Sequence, residues 1–347
     1  MAGRGAGRVG GLVALLSLAA CGHLRDGSAA PPVPDAAPAA ADGWRPVADG
    51  VYFKAGDFAP GRQPDGNTLL LRGRTGWIVV DTGRHPGHAG AIVRAARASA
   101  RPVVAIVNTH WHLDHVAGNA LLRQAYPRAG VHASRRVEAE MSGFLARYRA
   151  QLETLLRTRG DDPQAPAWRE ERARIDAGRR LYPTRAVDEA GPRRIDRRTL
   201  SLGLVEDAVS GGDVWVFDPA TRVLAAGDLV TLPAPLLDTA CPVGWARALR
   251  DLDAQPFELL VPGHGEPMTR AQFQRYRRAY EGLLACAAGP AGDGECAAQW
   301  IDGLGDLLPP AHHAHARALL DYYLPQRLRG ASPSPAYCTD RAAPVGA

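Results

Sequence analysis

The stretch Val103–Val107 (VVAIV) runs straight into Asn108-Thr109-His110-Trp111-His112-Leu113-Asp114-His115, and no other feature of the chain restricts its fold as much. An apolar β-branched run of this length reads as a buried strand. Three histidines and an aspartate within six residues then have to be accommodated where the strand ends. His110, His112 and Asp114 alternate, so in extended or turning backbone they project to one side, and His115 adds a second direction. Imidazole nitrogen and carboxylate oxygen are zinc ligands. No thiol lies nearby, which argues against a closed structural zinc knot.

The rest of the chain is organised around that loop. Val51 to Lys54, Thr68 to Arg72 and Gly76 to Val80 read as strands, and His88 to Ala100 and Val116 to Tyr126 as helices. Residues 135–182 are rich in Arg, Glu and Leu and break near Gly160-Asp161-Asp162-Pro163, which predicts a helical hairpin laid over the core. Strand patterns return at Leu200–Val205, Val214–Phe217, Val223–Ala226 and Glu258–Val261. Helices are expected at Trp245–Leu252 and Arg270–Ala287, with a mainly helical tail to Ala347. Two successive blocks of alternating strands and helices fit an α/β fold of two packed sheets with helices outside.

The first twenty residues have an Arg-bearing start, an apolar run Gly11–Ala20 and small residues before Cys21, the layout of a secretory signal. Leu18-Ala19-Ala20-Cys21 is similar to a bacterial lipobox, so Cys21 is the expected lipid-attachment point. With Gly22 rather than aspartate following it, the expected address is the outer membrane facing the periplasm. Residues 21–43 are Ala/Pro-rich and read as a tether. In that oxidising compartment the other four cysteines are expected to pair as Cys286 with Cys296 and Cys241 with Cys338. Of 41 basic residues only Lys54 is lysine. Removing Arg4 and Arg8 with the leader leaves 39 − 36 = +3, dispersed among acids, with no stripe for nucleic acid.

His-x-His-x-Asp-His resembles the signature of the metallo-β-lactamase superfamily, and three further motifs follow the same order. Ile78-Val79-Val80-Asp81-Thr82-Gly83 is similar to the strand-end aspartate motif. Asp228 in Ala226-Gly227-Asp228-Leu229 resembles the carboxylate that bridges two metals, and His264 in Val261-Pro262-Gly263-His264-Gly265 the last ligand. The resemblance implies a four-layer αββα sandwich over residues 44–275, with a helical insertion at about 135–182 and a helical C-terminal extension over 276–347. It also implies zinc held by His110, His112, Asp114, His115, Asp228 and His264, with Asp81 supporting the loop. The activity implied is hydrolysis of an ester, thioester, lactam or similar bond in a small-molecule substrate by metal-bound hydroxide, with Asp114 catalytic.

One departure matters. Where relatives carry a third histidine for the first site, this chain has Ala208-Val209-Ser210-Gly211-Gly212-Asp213, and no histidine occurs between His132 and His264. Three readings stay open. One is an enzyme with one tight zinc and a weak or absent second. Another is a replacement ligand from Glu206, Asp207 or the cluster His312-His313-x-His315. The last is a non-catalytic metal- or ligand-binding lipoprotein on the same fold. A histidine near His110 and His112 favours the enzyme; an apolar plug at Val209 favours the binding protein. Trp111 and Leu113 are read as packing residues, His85 and His88 as surface residues, His132 as packed or capping. Arg135 and Arg136 are possible anion contacts.

Overall fold

The computed structural model describes residues 37–58, 62–331 and 334–338. Cys21, the leader and most of the tether lie outside them. The first sheet is built from β1 (Trp44–Ala48), β2 (Val51–Lys54), β3 (Thr68–Arg72) and β4 (Trp77–Val80). After α1 (Pro86–Ala98) come β5 (Val103–Val107), α2 (Leu113–Val116), α3 (Asn119–Ala125) and β6 (Gly130–Ala133). The helices α4 (Arg136–Ser142), α5 (Phe144–Thr158) and α6 (Ala165–Asp176) precede the short β7 (Arg185–Ala186), which completes a seven-stranded sheet in the order β1 to β7. The second sheet takes β8 (Gly191–Ile195), β9 (Arg198–Val205), β10 (Asp213–Asp218) and β11 (Val223–Thr231). After α7 (Pro242–Asp253) it adds β12 (Leu259–His264) and β13 (Met268–Thr269), for six strands in the order β13-β12-β11-β10-β9-β8. Helices α8 (Arg270–Ala288), α9 (Asp293–Leu304) and α10 (His313–Tyr323) follow.

The layers follow from the two-residue alternation of the strands. Leu69, Leu71, Ile78, Val80, Ala105 and Val107 face inward and meet Leu200, Leu202, Val214, Val216 and Val261 of the second sheet. Their neighbours Leu70, Trp77, Val79 and Ile106 face outward and pack on Ala89, Ile92 and Ala96 of α1 and Leu122 of α3. The outer face of the second sheet, with Leu224, Ala226 and Leu260, is covered by Trp245 and Leu249 of α7, Phe273 and Tyr276 of α8, Trp300 of α9 and Leu320 of α10. This is the expected four-layer αββα sandwich with its helical C-terminal region. Local signals start the helices: Pro86 and Pro242 occupy first-turn positions, and Thr269 with Gln272 forms a capping box on α8.

Several boundaries differ from the sequence reading. The last residues of the expected tether form a short 3-10 turn, Ala40–Asp42, because Asp42 is held by Arg94 at 2.8 Å and Lys54 donates to its carbonyl at 2.8 Å. Gly143 splits the expected hairpin into three helices rather than two. His88 is buried rather than on the surface: it lies on the inner face of α1, with Nε2 2.8 Å from the Thr68 hydroxyl, and burial pushes its pKa down to about 4. His85 is half-buried, with Nδ1 2.8 Å from Asp65. His132 lies within β6 and is half-buried. Cys286 pairs with Cys296 and Cys241 with Cys338.

Candidate metal centre

Both sheets deliver their chemistry at one edge. Parallel pairing of β4 with β5 sets Asp81 beside the start of the His loop, where its amide donates to the Val107 carbonyl at 3.0 Å. Parallel pairing of β11 with β12 sets Asp228 beside the turn that carries His264. The Val214 amide, donating to the Thr109 carbonyl at 2.6 Å, joins the two sheets there. Carboxyl ends of parallel strands are where open α/β sheets form their sites.

Two groups of potential ligands result, Asp114 with His115, Asp228 and His264, and His110 with His112 and Asp228. Within each group the donor atoms lie within 4.8 Å of one another. Asp228 Oδ1 is 3.1 Å from His115 Nε2 and 3.5 Å from His264 Nε2, while its Oδ2 is 3.5 Å from His110 Nε2. Asp114 Oδ2 is 3.0 Å from His264 Nε2 and 3.5 Å from His115 Nε2. All of the sequence-derived ligands are therefore brought together.

The hydrogen-bond network decides which nitrogens carry lone pairs, because a hydroxyl has one proton and a carboxylate none to give. Asp81 accepts from the Thr109 amide at 2.8 Å, from the Thr109 hydroxyl at 2.7 Å and from His115 Nδ1 at 2.8 Å. Thr109, its proton committed to Asp81, accepts from His110 Nδ1 at 3.0 Å. When each ring carries a single proton, His110 and His115 hold it on Nδ1 and Nε2 bears the lone pair. Burial alone would lower the His115 pKa, but without an ion Asp228, Asp81 and Asp114 overcome it and raise that pKa well above the ordinary imidazole range, so a metal at Nε2 would displace a proton. Asp81 thus orients two histidines, directly and through Thr109, the usual arrangement around a metal. His112 is fixed from the other side: its Nε2 is 2.8 Å from the Thr239 hydroxyl, which donates to the Val209 carbonyl at 3.0 Å. This leaves Nδ1 as the His112 nitrogen able to bind.

A cation fits this cage. His110 Nε2, His115 Nε2, both ring nitrogens of His264 and both oxygens of Asp228 are buried and have no hydrogen-bond partner. Buried polar atoms left unsatisfied cost free energy, and a divalent ion would satisfy most of these at once. Burial alone would raise the Asp114 and Asp228 pKa values, but the imidazoles, with Arg84 beside Asp114, hold both well below the carboxylate range. Burial pushes His112 down to about 3, so it is neutral, as a ligand must be. Two carboxylates and two histidines are donor types that zinc takes, and Asp114 and His112 line the cavity from which water would reach the ion.

Among the described residues, the second group has no fourth His, Cys, Asp or Glu side chain. Val209 is fully buried in an apolar cluster with Ala208, Leu237 and Ala240. Among the described residues, neither Glu206, Asp207 nor the His312-His313-x-His315 cluster joins the ligand groups. Asp207 pairs with Arg247 at 2.6 Å, and His313 Nε2 lies 3.0 Å from the Leu308 carbonyl. Arg135 pairs with exposed Asp188, and Arg136 Nε donates to the Gly211 carbonyl at 3.3 Å. Neither arginine lines the cavity above the centre.

Besides Thr109 and Thr239, sequence reasoning missed three further contributors. Arg84, buried, meets Asp114 Oδ1 at 3.5 Å and forms an ion pair with Glu171 of α6, which also pairs with Arg174 at 2.9 Å. Asn67 donates to the Pro262 and Gly265 carbonyls at 2.9 and 2.8 Å, fixing the turn that bears His264. Glycines let the backbone approach the ligands: a Cβ on Gly263 would stand 1.9 Å from Asp228 Oδ1, and one on Gly66 2.4 Å from His115 Cε1. Above the centre opens a cavity of about 1020 Å³. Trp111 and Leu113 pack under the inserted helices as expected and also wall this cavity.

The sequence profile of the metallo-β-lactamase superfamily matches residues 61–264, more than half of the chain. The chain belongs to the metallo-β-lactamase superfamily. Over 58 residues, 17% of this chain and 23% of the relative, it is 43% identical to a hydroxyacylglutathione hydrolase of Gloeobacter violaceus. Over 224 residues it is 28% identical to the 2,4-dinitroanisole O-demethylase subunit alpha of a Nocardioides species, covering 63% of this chain and 58% of that one. The chain thus spans less than two thirds of either curated relative. Among solved structures, a metallo-β-lactamase from Pontibacter korlensis superposes with a TM-score of 0.50 at 17% identity, over 69% of this chain and 98% of that one. A variant of the sec-alkyl sulfatase PisA1 gives 0.55 at 18% identity, over 84% of this chain and 52% of that one. These two likenesses concern the fold.

Proposed function

We propose that the protein is a zinc-dependent hydrolase with one complete metal site, formed by Asp114, His115, Asp228 and His264, and a weaker second position at His110 and His112. The observation that carries this reading is the set of buried, unsatisfied donor atoms on His110, His115, Asp228 and His264, grouped with Asp114 and His112, which line a large cavity. A bound zinc would supply a Lewis acid and lower the pKa of water to about 7. The chain's own residues do the rest. Asp81 and Thr109 keep Nε2 of His110 and His115 free to bind. Arg84 keeps Asp114 ionised, so that Asp114 can help hold the metal and accept a hydrogen bond that aligns the attacking water. Trp111, Leu113 and Phe144 exclude bulk solvent from the reacting bond.

The bonds open to such a centre are esters, thioesters, lactams and similar acyl or ester linkages. One of the relatives is named as a hydrolase, the hydroxyacylglutathione hydrolase, which supports a hydrolytic reading. The apolar burial of Val209 favours a second reading, a binding protein whose centre no longer turns over. Hydrolysis of a panel of aryl esters, thioesters and a chromogenic lactam by the zinc-loaded chain separates the two. The hydrolase reading requires turnover that Asp114→Asn lowers at least a hundredfold, and zinc binding without any turnover supports the other. Lipid attachment at Cys21 and an outer-membrane address belong to the same proposal and rest on the leader's sequence; loss of membrane association in Cys21→Ala tests them.

A further inference from the structure

The cavity over the metal centre is enclosed by elements from three parts of the chain: the His loop, the inserted helices α5 and α6, and α10 of the C-terminal region. Its volume, about 1020 Å³, lies at the upper end for small-molecule sites. The inserted helices contribute Phe144, Tyr148, Leu152, Leu155 and Trp168, and α10 contributes Leu319. His112, Asp114 and Thr239 lie on the floor, so whatever fills the cavity has one end at the reacting centre.

The charged side chains on the wall are already matched. Arg84 pairs with Glu171 and Asp114, and Arg174 with Glu170 at 3.1 Å and Glu171 at 2.9 Å. Asp238 accepts from the Tyr323 hydroxyl at 2.7 Å, and His85 meets Asp65 at 2.8 Å. Arg62 pairs with Asp57 in an exposed ion pair at the rim. Among the described lining residues, no cation is left without a partner to receive a carboxylate, phosphate or sulfate. Away from the metal ligands, a charged group brought into this space would lose water without gaining a counter-charge. Trp111 Nε1 and His315 Nδ1, buried and without partners, together with Gln63 and Gln164, offer polar contacts that carry no cation.

We infer that the substrate carries a bulky, uncharged apolar group, an alkyl chain or aryl system, which the inserted helices and α10 enclose while the scissile bond lies over the metal ligands. This rests on the hydrolase reading for the bond broken, but the selection of an uncharged apolar group is a property of the cavity itself. Substrates that would place a carboxylate among the inserted helices and α10, away from the metal ligands, are accordingly disfavoured.

The test uses the zinc-loaded full chain and 4-nitrophenyl esters from acetate to decanoate, together with a matched octanoate and its ω-carboxylate analogue. In parallel, Nile red is bound to the protein and displaced with 1-decanol or decanoate. The expected kcat/KM rises about two- to fourfold per methylene until the cavity is filled. The neutral octanoate exceeds its carboxylate analogue at least tenfold, and Leu155→Glu or Trp168→Ala flattens the chain-length profile. Decanol displaces Nile red at lower concentration than decanoate does. Hydrolysis with a flat profile, or with the carboxylate analogue preferred, overturns the inference while the hydrolase reading stands. No hydrolysis, with Nile red displaced more readily by decanol, supports the cavity's selection and removes the hydrolase reading. Failure of the protein to bind Nile red overturns the inference whatever the esters do.

Discussion

Arg84 is the residue through which the inserted helices grip the metal loop, and removing it has a cost that can be worked from its partners. Its guanidinium is 9% exposed, pairs with Glu171, stands 3.5 Å from Asp114 Oδ1, and donates from Nε to the Pro64 carbonyl at 3.1 Å. At 3.5 Å with an effective dielectric constant of about 20, the attraction between unit charges is roughly 5 kcal/mol before desolvation is deducted. Breaking one side of a buried pair typically costs about 3–5 kcal/mol. Here Arg174 continues to neutralise Glu171, so the low end, ~3 kcal/mol, is expected for Arg84→Leu. In the double variant Arg84→Leu/Glu171→Leu the buried carboxylate that lost one of its two cations is also gone, so the combined loss should fall short of the sum of the singles by at least ~1 kcal/mol. Urea unfolding of the metal-stripped proteins followed by tryptophan fluorescence measures both quantities. A loss below about 0.5 kcal/mol for Arg84→Leu, or a double variant that loses the sum of the singles, refutes the reasoning.

Thr239→Val removes the hydroxyl that fixes His112 and leaves the buried Val209 carbonyl without its donor; about 1–2 kcal/mol of stability should go. Affinity for a second metal should fall about 10–100-fold while the first site is unchanged, as a cobalt titration would resolve. Gly263→Ala should abolish tight metal binding, since its Cβ would meet Asp228 Oδ1 at 1.9 Å, with about 1–3 kcal/mol of strain visible in thermal melting; tight binding in that variant would contradict the close approach. Burial holds His88 at about 4 against 6.5 in the unfolded chain, so the unfolded state takes up its proton first as the pH falls. Its contribution is complete above pH 6.5 and is lost on descending to about 4, up to ~3 kcal/mol, and the wild type should lose more stability between pH 7.5 and 4.5 than His88→Gln does. Parallel pH–stability curves would contradict this.

What the sequence made legible was local. The His loop follows its strand within eight residues, Asp81 and His264 stand at strand ends, and Asp228 follows Gly227 in the apolar run of β11, so motif order alone assembled the ligand set. What stayed hidden depends on contacts between distant parts of the chain. Thr239 is 127 residues from the histidine it fixes, and Glu171 is 87 from Arg84; no periodicity links either pair. His88 was misread because its Gly/Pro-rich surroundings suggest a turn, whereas Pro86 starts a helix whose inner face carries it. The two-residue strand β7 and the Arg-rich β8, in which only Ile195 is buried, have too little apolar pattern to stand out. Val209 was noticed as an absence. Its positive contribution, a backbone carbonyl that anchors Thr239, is invisible in a side-chain reading.

The central claim is that one complete metal site exists, built on Asp114 rather than on His110. Zinc content of the purified chain after dialysis against a weak chelator, measured beside Asp114→Ala and His110→Ala, tests it most directly. The account predicts about one zinc per chain in the wild type, retained in His110→Ala and lost in Asp114→Ala, because four side chains converge on the first site and three on the second. A wild type that holds no zinc, or one whose tight zinc disappears with His110 and survives loss of Asp114, would contradict it.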